Sequence, residues 1–284
     1  MKISIFANPR KESAKSVLPG FIAALEKEGI SAVLNEEIES ILGAGYDYSS
    51  SPELFDGADM IISFGGDGTI LNTAQVSAGT GLPILGVNLG KVGFLAEASP
   101  EDIDSIPRRL KNREYEIIER MAFTAESTKG RRYFALNDVV LDRNVDTRIL
   151  CLTVTVDGQY AGEIHADGLI VSTPTGSTAH SMAAGGPIVM PECDVSVLTP
   201  ICPHSLTIRP MIIDGSKEVR VGIVEGLARM AVDGQSFITV PSGCEVIIKR
   251  ADEPVRVARF RDRTYFDILR TRLKWGVSLK LKNA

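Results

Sequence analysis

A chain of 284 residues that is 44% hydrophobic and 24% charged can bury one large core or two ordinary ones, which excludes a disordered or fibrous protein. Its formal net charge of −5 argues against a nucleic-acid partner, and no run approaches the ~18 apolar residues of a membrane span. Cys151, Cys193, Cys202 and Cys244 form no C-x-x-C pair and have only His165, His180 and His204 to join them, so the spacing predicts neither a zinc site nor a disulfide framework. With no signal-peptide core ahead of Pro9, the expected location is the cytoplasm.

In chain order, "KISIFAN" reads as a strand, "ESAKSVLPGFIAALEKEG" as a helix and "ISAVLN" as a second strand. The polar stretch "EIESILGAGYDYSSSPELFDGADM" is expected to be a mobile loop rather than a core element. "MIISF" is a short buried strand, followed by a helix with Thr69 as its N-cap, and "LPILGVN" is another strand. A helical segment from Pro100 to Lys111 closes an α/β domain with a mostly parallel sheet, expected over residues 1–112. Beyond it the period changes to two: Leu150, Leu152, Val154 and Val156 alternate with Cys151, Thr153 and Thr155 before an Asp-Gly turn. Further strands in "LTIRPMII", "EVRVGIV", "LARMAVDGQSFITV" and "CEVIIKR" predict a second, all-β, sandwich-like domain over residues 113–262. "RVARFRDR" is basic enough to meet a phosphate and reads equally well as an edge strand with solvated arginines. The tail, residues 263–284, returns to a helical pattern and is expected to pack back on the first domain.

Two strand-turn-helix stretches carry the chemistry. In "FGGDGTIL", Gly65, Gly66 and Gly68 surround Asp67 where a strand gives way to a helix. Glycine permits positive φ and close approach of a ligand, and a helix start offers unpaired N–H groups to a phosphate. A carboxylate there repels a phosphate unless a cation or hydroxyl stands between them. Neither G-x-G-x-x-G nor a P-loop fits: Leu71 occupies the sixth position of the first, and "GVNLGKV" is one residue short of the second. The other stretch, "DGLIVSTPTGSTAHSMAAGGPIV", places Thr173, Thr175, Ser177, Thr178 and Ser181 within nine positions, uncharged donors suited to riboses, amides and phosphates.

"GGDGTIL", "NLGKVGFLAE", "LNDVV", "DGLIVSTPTGSTAHSMAAGGPI" with "TPICPHSLTIRP", and the "DGQ" at Asp233 to Gln235 resemble, in that order, the NAD kinases. The resemblance spans most of the chain. It implies a phosphofructokinase-like first domain and transfer of the γ-phosphoryl group of ATP to the 2′-hydroxyl of the adenosine ribose of NAD, with a divalent metal ion, Mg²⁺. By resemblance Asp67 deprotonates or orients that hydroxyl, and Gly65, Gly66, Gly68 and Thr69 accommodate the phosphates. Asn137 and Asp138 contact adenine and ribose, and Asp167 reaches the nicotinamide end. Thr178, Ala179, His180 and Ser181 line the adenosine pocket, while Met182, Ala183, Arg148, His165 and Gln235 match further NAD-contacting positions. No protein ligand to the metal is assigned. The chain departs from the common pattern at Asp138, where relatives have Glu, at His180, where they have Tyr, and at His165, where they have Arg. The resemblance also implies a homo-oligomer, dimer or tetramer. GGDG is shared with lipid kinases, so a diacylglycerol-type kinase stands as the alternative enzyme, and a non-catalytic NAD-binding regulator as the alternative class.

Overall fold

Apolar runs without alternation belong inside a parallel sheet covered on both faces, and the first third of the chain is built from them. The computed structural model describes residues 1–90, 93–128, 130–145 and 147–276, without the side chains of Glu12 and Ser236. Residues 91–92 of the "NLGKVGFLAE" motif therefore lie outside the described residues.

One unit comprises residues 1–118 and 256–284. Its elements are β1 (Lys2–Ala7), α1 (Glu12–Lys27), β2 (Ser31–Asn35), α2 (Glu39–Leu42), β3 (Tyr48–Ser49), β4 (Met60–Gly65), α3 (Asp67–Val76), β5 (Ile84–Asn88), α4 (Ile106–Lys111) and β6 (Glu116–Arg120). The sheet order is β3-β2-β1-β4-β5, followed by β19 (Val255–Arg259) and β6. Ile3 and Ile5 of β1 and Met60, Ile62 and Phe64 of β4 pack with Leu18, Phe21 and Leu25 of α1 in one core. Strand order reverses between β1 and β4, the place where open α/β sheets bind ligands at their carboxyl ends. Asp67 follows the carboxyl end of β4.

The polar stretch expected as a mobile loop contains α2, β3 and two 3₁₀ turns. Ile38 and Leu54 within it are completely buried, because a few well-spaced apolar side chains suffice to anchor a polar segment. The basic stretch "RVARFRDR" overlaps β19 (Val255–Arg259), which lies between β5 and β6 rather than at an edge. Its arginines are engaged: Arg259 pairs with Glu116 at 2.6 Å and Arg263 with Asp102 at 3.0 Å, so charge balance inside the unit explains them. The tail forms α6 (Tyr265–Leu273), whose N-cap Thr264 and Asp267 make a reciprocal capping box.

The other unit, residues 119–255, is antiparallel. Its strands are β7 (Phe123–Ser127), β8 (Arg132–Ala135), β9 (Asp138–Arg143), β10 (Leu150–Val156), β11 (Gln159–Ala166), β12 (Gly168–Ser172), β13 (Val195–Ile201), β14 (Met211–Asp214), β15 (Val219–Glu225), β16 (Leu227–Val232), β17 (Ser236–Pro241) and β18 (Glu245–Arg250), with the short α5 (His180–Ala183) after β12. They form two six-stranded sheets, β11-β10-β15-β18-β7-β8 and β14-β13-β12-β9-β16-β17. Leu150, Leu152, Val154, Val221 and Ile223 of the first share a core with Val139, Leu141, Leu169, Val171 and Met230 of the second. The β10–β11 hairpin turns at Asp157 and Gly158, both at positive φ (46° and 76°), as a type I′ turn requires. On the far face of the second sheet Val140, Ile170 and Ala231 pack against Ala184, which seats the residues after β12 on that sheet.

Candidate active site

The turn after β4 differs in two ways from the sequence expectation. Helix α3 begins at Asp67 with Gly66 as its N-cap, so Thr69 lies inside the first turn, buried, rather than capping it. Gly65, Gly66 and Gly68 do not have positive φ. What they supply is space. A Cβ on Gly65 would fall 2.2 Å from Thr69 Oγ1, whereas Gly66 and Gly68 face nothing within 4 Å and leave room for a ligand against the backbone.

Asp67 is half-buried, and loop amides fix its carboxylate: Phe94 N–H donates to Oδ2 at 2.8 Å and Leu95 N–H to Oδ1 at 3.2 Å. Gly93 makes this approach possible, since a Cβ there would lie 1.7 Å from Asp67 Oδ1. Gly93 sits in the quoted "NLGKVGFLAE" motif, but nothing in the sequence ties it to Asp67. A carboxylate accepting one amide hydrogen on each oxygen is oriented, and each oxygen keeps acceptor capacity for a hydroxyl or a cation.

In the other unit Asn137 lies in the bend before β9 and Asp138 is that strand's first residue. The Asp233 carboxylate accepts from Leu136 N–H at 2.9 Å, Asn137 N–H at 2.8 Å and Asp138 N–H at 3.1 Å. From the opposite side Thr173 N–H donates to Asn137 O at 2.9 Å, and Thr173 Oγ1 to Leu136 O at 2.6 Å. Gly176 passes so close that a Cβ would lie 2.1 Å from Asn137 O. Asp233 and Gly234, both at positive φ, also make the β16–β17 hairpin turn, so one aspartate serves the turn and clamps its neighbour. Burial, then the nearby Asp233 carboxylate, pushes Asp138 up to about 7.

Asn137, Asp138, Ala179, His180, Asp233 and Phe237, with others, line a cavity of about 250 Å³. His180, Asp142 and Arg229 also border an adjoining cavity of about 460 Å³, with Arg143 and Asp167 at its wall. The walls are charged but paired: Arg229 makes a two-pronged bond to Asp142 (2.6 and 3.0 Å), and Arg143 Nε donates to Asp167 Oδ1 at 3.0 Å. Asp142, Arg143, Arg229 and Phe237 are absent from the sequence-derived set, because strand alternation marks a face without saying that a cleft opens there.

The hydroxyl cluster divides sharply. Ser177 Oγ bonds to Pro174 O and accepts from Val189 N–H; Thr178 Oγ1 donates to Thr175 O; Ser181 Oγ, fully buried, lies 2.8 Å from Thr199 Oγ1. These hydroxyls build the turn. Thr175 Oγ1 and Asn137 Oδ1 are buried without hydrogen-bond partners, and a buried polar atom left unsatisfied asks for a ligand. Met182, Ala183 and Gln235 are partly or fully exposed, Arg148 is exposed, and His165 lies on β11 beside Cys151 and Glu163. None of these five borders the two cavities.

In one unit a carboxylate oriented at an open strand-to-helix turn, and in the other a polar cleft bordered by an unsatisfied amide, are each features found in nucleotide-binding proteins. Residues 3–115 match the ATP-NAD kinase N-terminal domain and residues 136–260 the ATP-NAD kinase C-terminal domain. The chain is 35% identical over 281 residues to an NAD kinase of Geotalea daltonii, covering 97% of this chain and 99% of that one. It is 41% identical over 238 residues to one of Heliobacterium modesticaldum, covering 81% and 84%. An Archaeoglobus fulgidus NAD kinase solved in complex with ATP superposes at a TM-score of 0.72 and 25% identity, over 95% of this chain and 97% of that one. The fold is also that of yeast NADH kinase complexed with NADH, at a TM-score of 0.90 over 100% and 90% of the two chains. The chain belongs to the NAD kinase family and is a kinase of NAD, so the lipid-kinase alternative is not favoured.

Proposed function

We propose that Asp67 orients or deprotonates the 2′-hydroxyl of the adenosine ribose of NAD while the γ-phosphoryl group of ATP is transferred to it, giving NADP and ADP. The observation that carries this reading is the two-amide grip on Asp67 beside the open Gly66–Gly68 turn. Gly65, Gly66, Gly68 and Thr69 shape the phosphate turn. Asn137 Oδ1, an acceptor with no partner, meets the adenine amino group, and Asp138 accepts from ribose hydroxyls. Thr175 joins them through its unpartnered hydroxyl. Ala179 and His180 line the adenosine pocket and Asp167, held by Arg143, the nicotinamide end.

The turn suits Mg²⁺ carried mainly on the phosphates: Asp67 keeps one free acceptor direction per oxygen, and Mg²⁺ is commonly held by one or two carboxylates plus substrate oxygens. When bound it neutralises the phosphate charge beside Asp67.

We place the enzyme in the cytoplasm; among the described residues no helix is long and apolar enough to cross a membrane. We also propose a homo-oligomer, dimer or tetramer, supported by Leu206, Met211 and Ile212, exposed at and beside the edge strand β14. Light scattering on the purified protein tests this, and a monomer at micromolar concentration refutes it.

The activity test is NADP formation from NAD, ATP and Mg²⁺, read by an NADP-specific dehydrogenase, with metal-free and lipid-acceptor samples in parallel. Metal-dependent NADP supports the proposal. NAD binding without NADP points instead to a non-catalytic regulator.

A further inference from the structure

Away from the cleft, the outer face of the sheet led by β11 and β10 carries three side chains of metal-ligating type. The Cys151 thiol, Glu163 carboxylate and His165 imidazole offer ligand atoms that all lie within 4.8 Å of one another. Strand register brings them together: Cys151 stands opposite His165, and Thr153 opposite Glu163. With period two these residues share one face, while Leu150, Leu152 and Ile164 turn to the sandwich core. Cys151 is buried beneath the other two, whose side chains are 44% (Glu163) and 53% (His165) exposed.

This is not the geometry of an activated thiol nucleophile. In such a relay the imidazole meets the thiol at one ring nitrogen and its orienting carboxylate at the other. Here Cys151 Sγ at 3.9 Å and Glu163 Oε1 at 3.0 Å both approach Nε2 of His165. Three donors whose ligand atoms all lie within 4.8 Å of one another form a ligand set rather than a series. Zinc–ligand bonds of about 2.0–2.3 Å at tetrahedral angles separate neighbouring donors by roughly 3.3–3.6 Å. The observed 3.0 and 3.9 Å bracket that spacing, within reach of small side-chain rotations.

We propose that Cys151, Glu163 and His165 form a binding site for a borderline-soft divalent transition cation of the Zn²⁺ class, with a fourth position open to solvent. Sulfur, nitrogen and oxygen donors together suit that class and are wrong for Mg²⁺, which takes oxygen. The site is invisible to sequence spacing because antiparallel pairing, not a short motif, joins residue 151 to residues 163 and 165.

The test is a titration of metal-free, full-length protein with Co²⁺, followed by displacement with Zn²⁺. The expected result is one equivalent per chain, with thiolate-to-cobalt charge-transfer absorption and tetrahedral visible bands. Cys151→Ser abolishes the charge-transfer band, and Glu163→Gln and His165→Gln weaken binding by about tenfold or more. Cys193→Ser and Cys202→Ser leave the titration unchanged. Circular dichroism checks that Cys151→Ser folds; should it not, the two exposed positions decide the matter. Absence of a thiolate band at one equivalent, or a band unaltered in Glu163→Gln and His165→Gln, overturns the proposal.

Discussion

Two aspartates, Asp67 at the first position of α3 and Asp138 at the first position of β9, sit in surroundings that treat them in opposite ways. Asp67 is half-buried and has an amide hydrogen on each oxygen. Asp138 is buried, close to a second carboxylate, and pushed up to about 7. Donors hold the first as an acceptor; burial and like charge hold the second near the balance point between acid and carboxylate. Under the proposed roles, environment more than residue type divides the labour between reaction and recognition.

The largest effect that could break this comparison is at Asp67. Asp67→Asn keeps the shape but loses the negative charge and turns one acceptor oxygen into an NH₂ donor, so turnover is expected to fall by roughly 10²- to 10⁴-fold with NAD binding retained. Near-normal kcat in steady-state assays would sink the role. Next comes Gly93→Ala, whose Cβ would overlap a carboxylate oxygen at 1.7 Å. Displacement of Asp67 is expected to lower kcat by about 10²-fold without a matching change in the KM for NAD. An unchanged kcat would mean that the loop yields without moving Asp67.

Asp233→Ala sharpens the other side. It leaves three amide donors at Leu136, Asn137 and Asp138 without their acceptor. Unfolding free energy is expected to drop by about 3 kcal/mol, read by denaturant titration, and the KM for NAD to rise. A stable variant with normal KM would remove Asp233 as the clamp.

The pH dependence is smaller and has a definite sign. Under the proposed contact, ribose hydroxyls donating to Asp138 would favour its carboxylate, so that NAD binding would oppose the upward shift and release a proton where Asp138 is still protonated. Affinity for NAD is therefore fully expressed above about 7 and weakens as pH falls below it, by at most about tenfold per pH unit. Asp138→Asn should flatten that profile, and Asp138→Ala should raise the KM for NAD more than that for ATP. A wild-type KM for NAD that is constant between about pH 6 and 8 would contradict the assignment. Smallest is Thr175→Val, which removes a hydroxyl that bonds to nothing in the protein. Folding stability should hold or improve, while the KM for NAD rises by about 1 kcal/mol's worth, some fivefold. No change in KM would place Thr175 outside the ligand's reach.

Much of this architecture is legible in the chain itself. Mostly apolar runs at Ile3–Phe6 and Met60–Phe64, each interrupted by one buried serine (Ser4 and Ser63), specify a parallel sheet, and alternation at Leu150–Val156 before Asp-Gly specifies a hairpin, because burial on two faces and on one leave different periods. The GGDG turn, the Asn137–Asp138 pair and the family are likewise written in contiguous residues. Tertiary structure alone decided what joins distant segments: Gly93 against Asp67, Asp233 beneath Asn137 and Asp138, Arg229 on Asp142, and Cys151 beside Glu163 and His165. It also decided which hydroxyls after β12 are consumed in building their own turn and left Thr175 Oγ1 and Asn137 Oδ1 buried with bonds unmade. Local pattern encodes which face of an element is buried; pairing and packing between elements choose which polar atoms find partners there, and no period in the sequence carries that information.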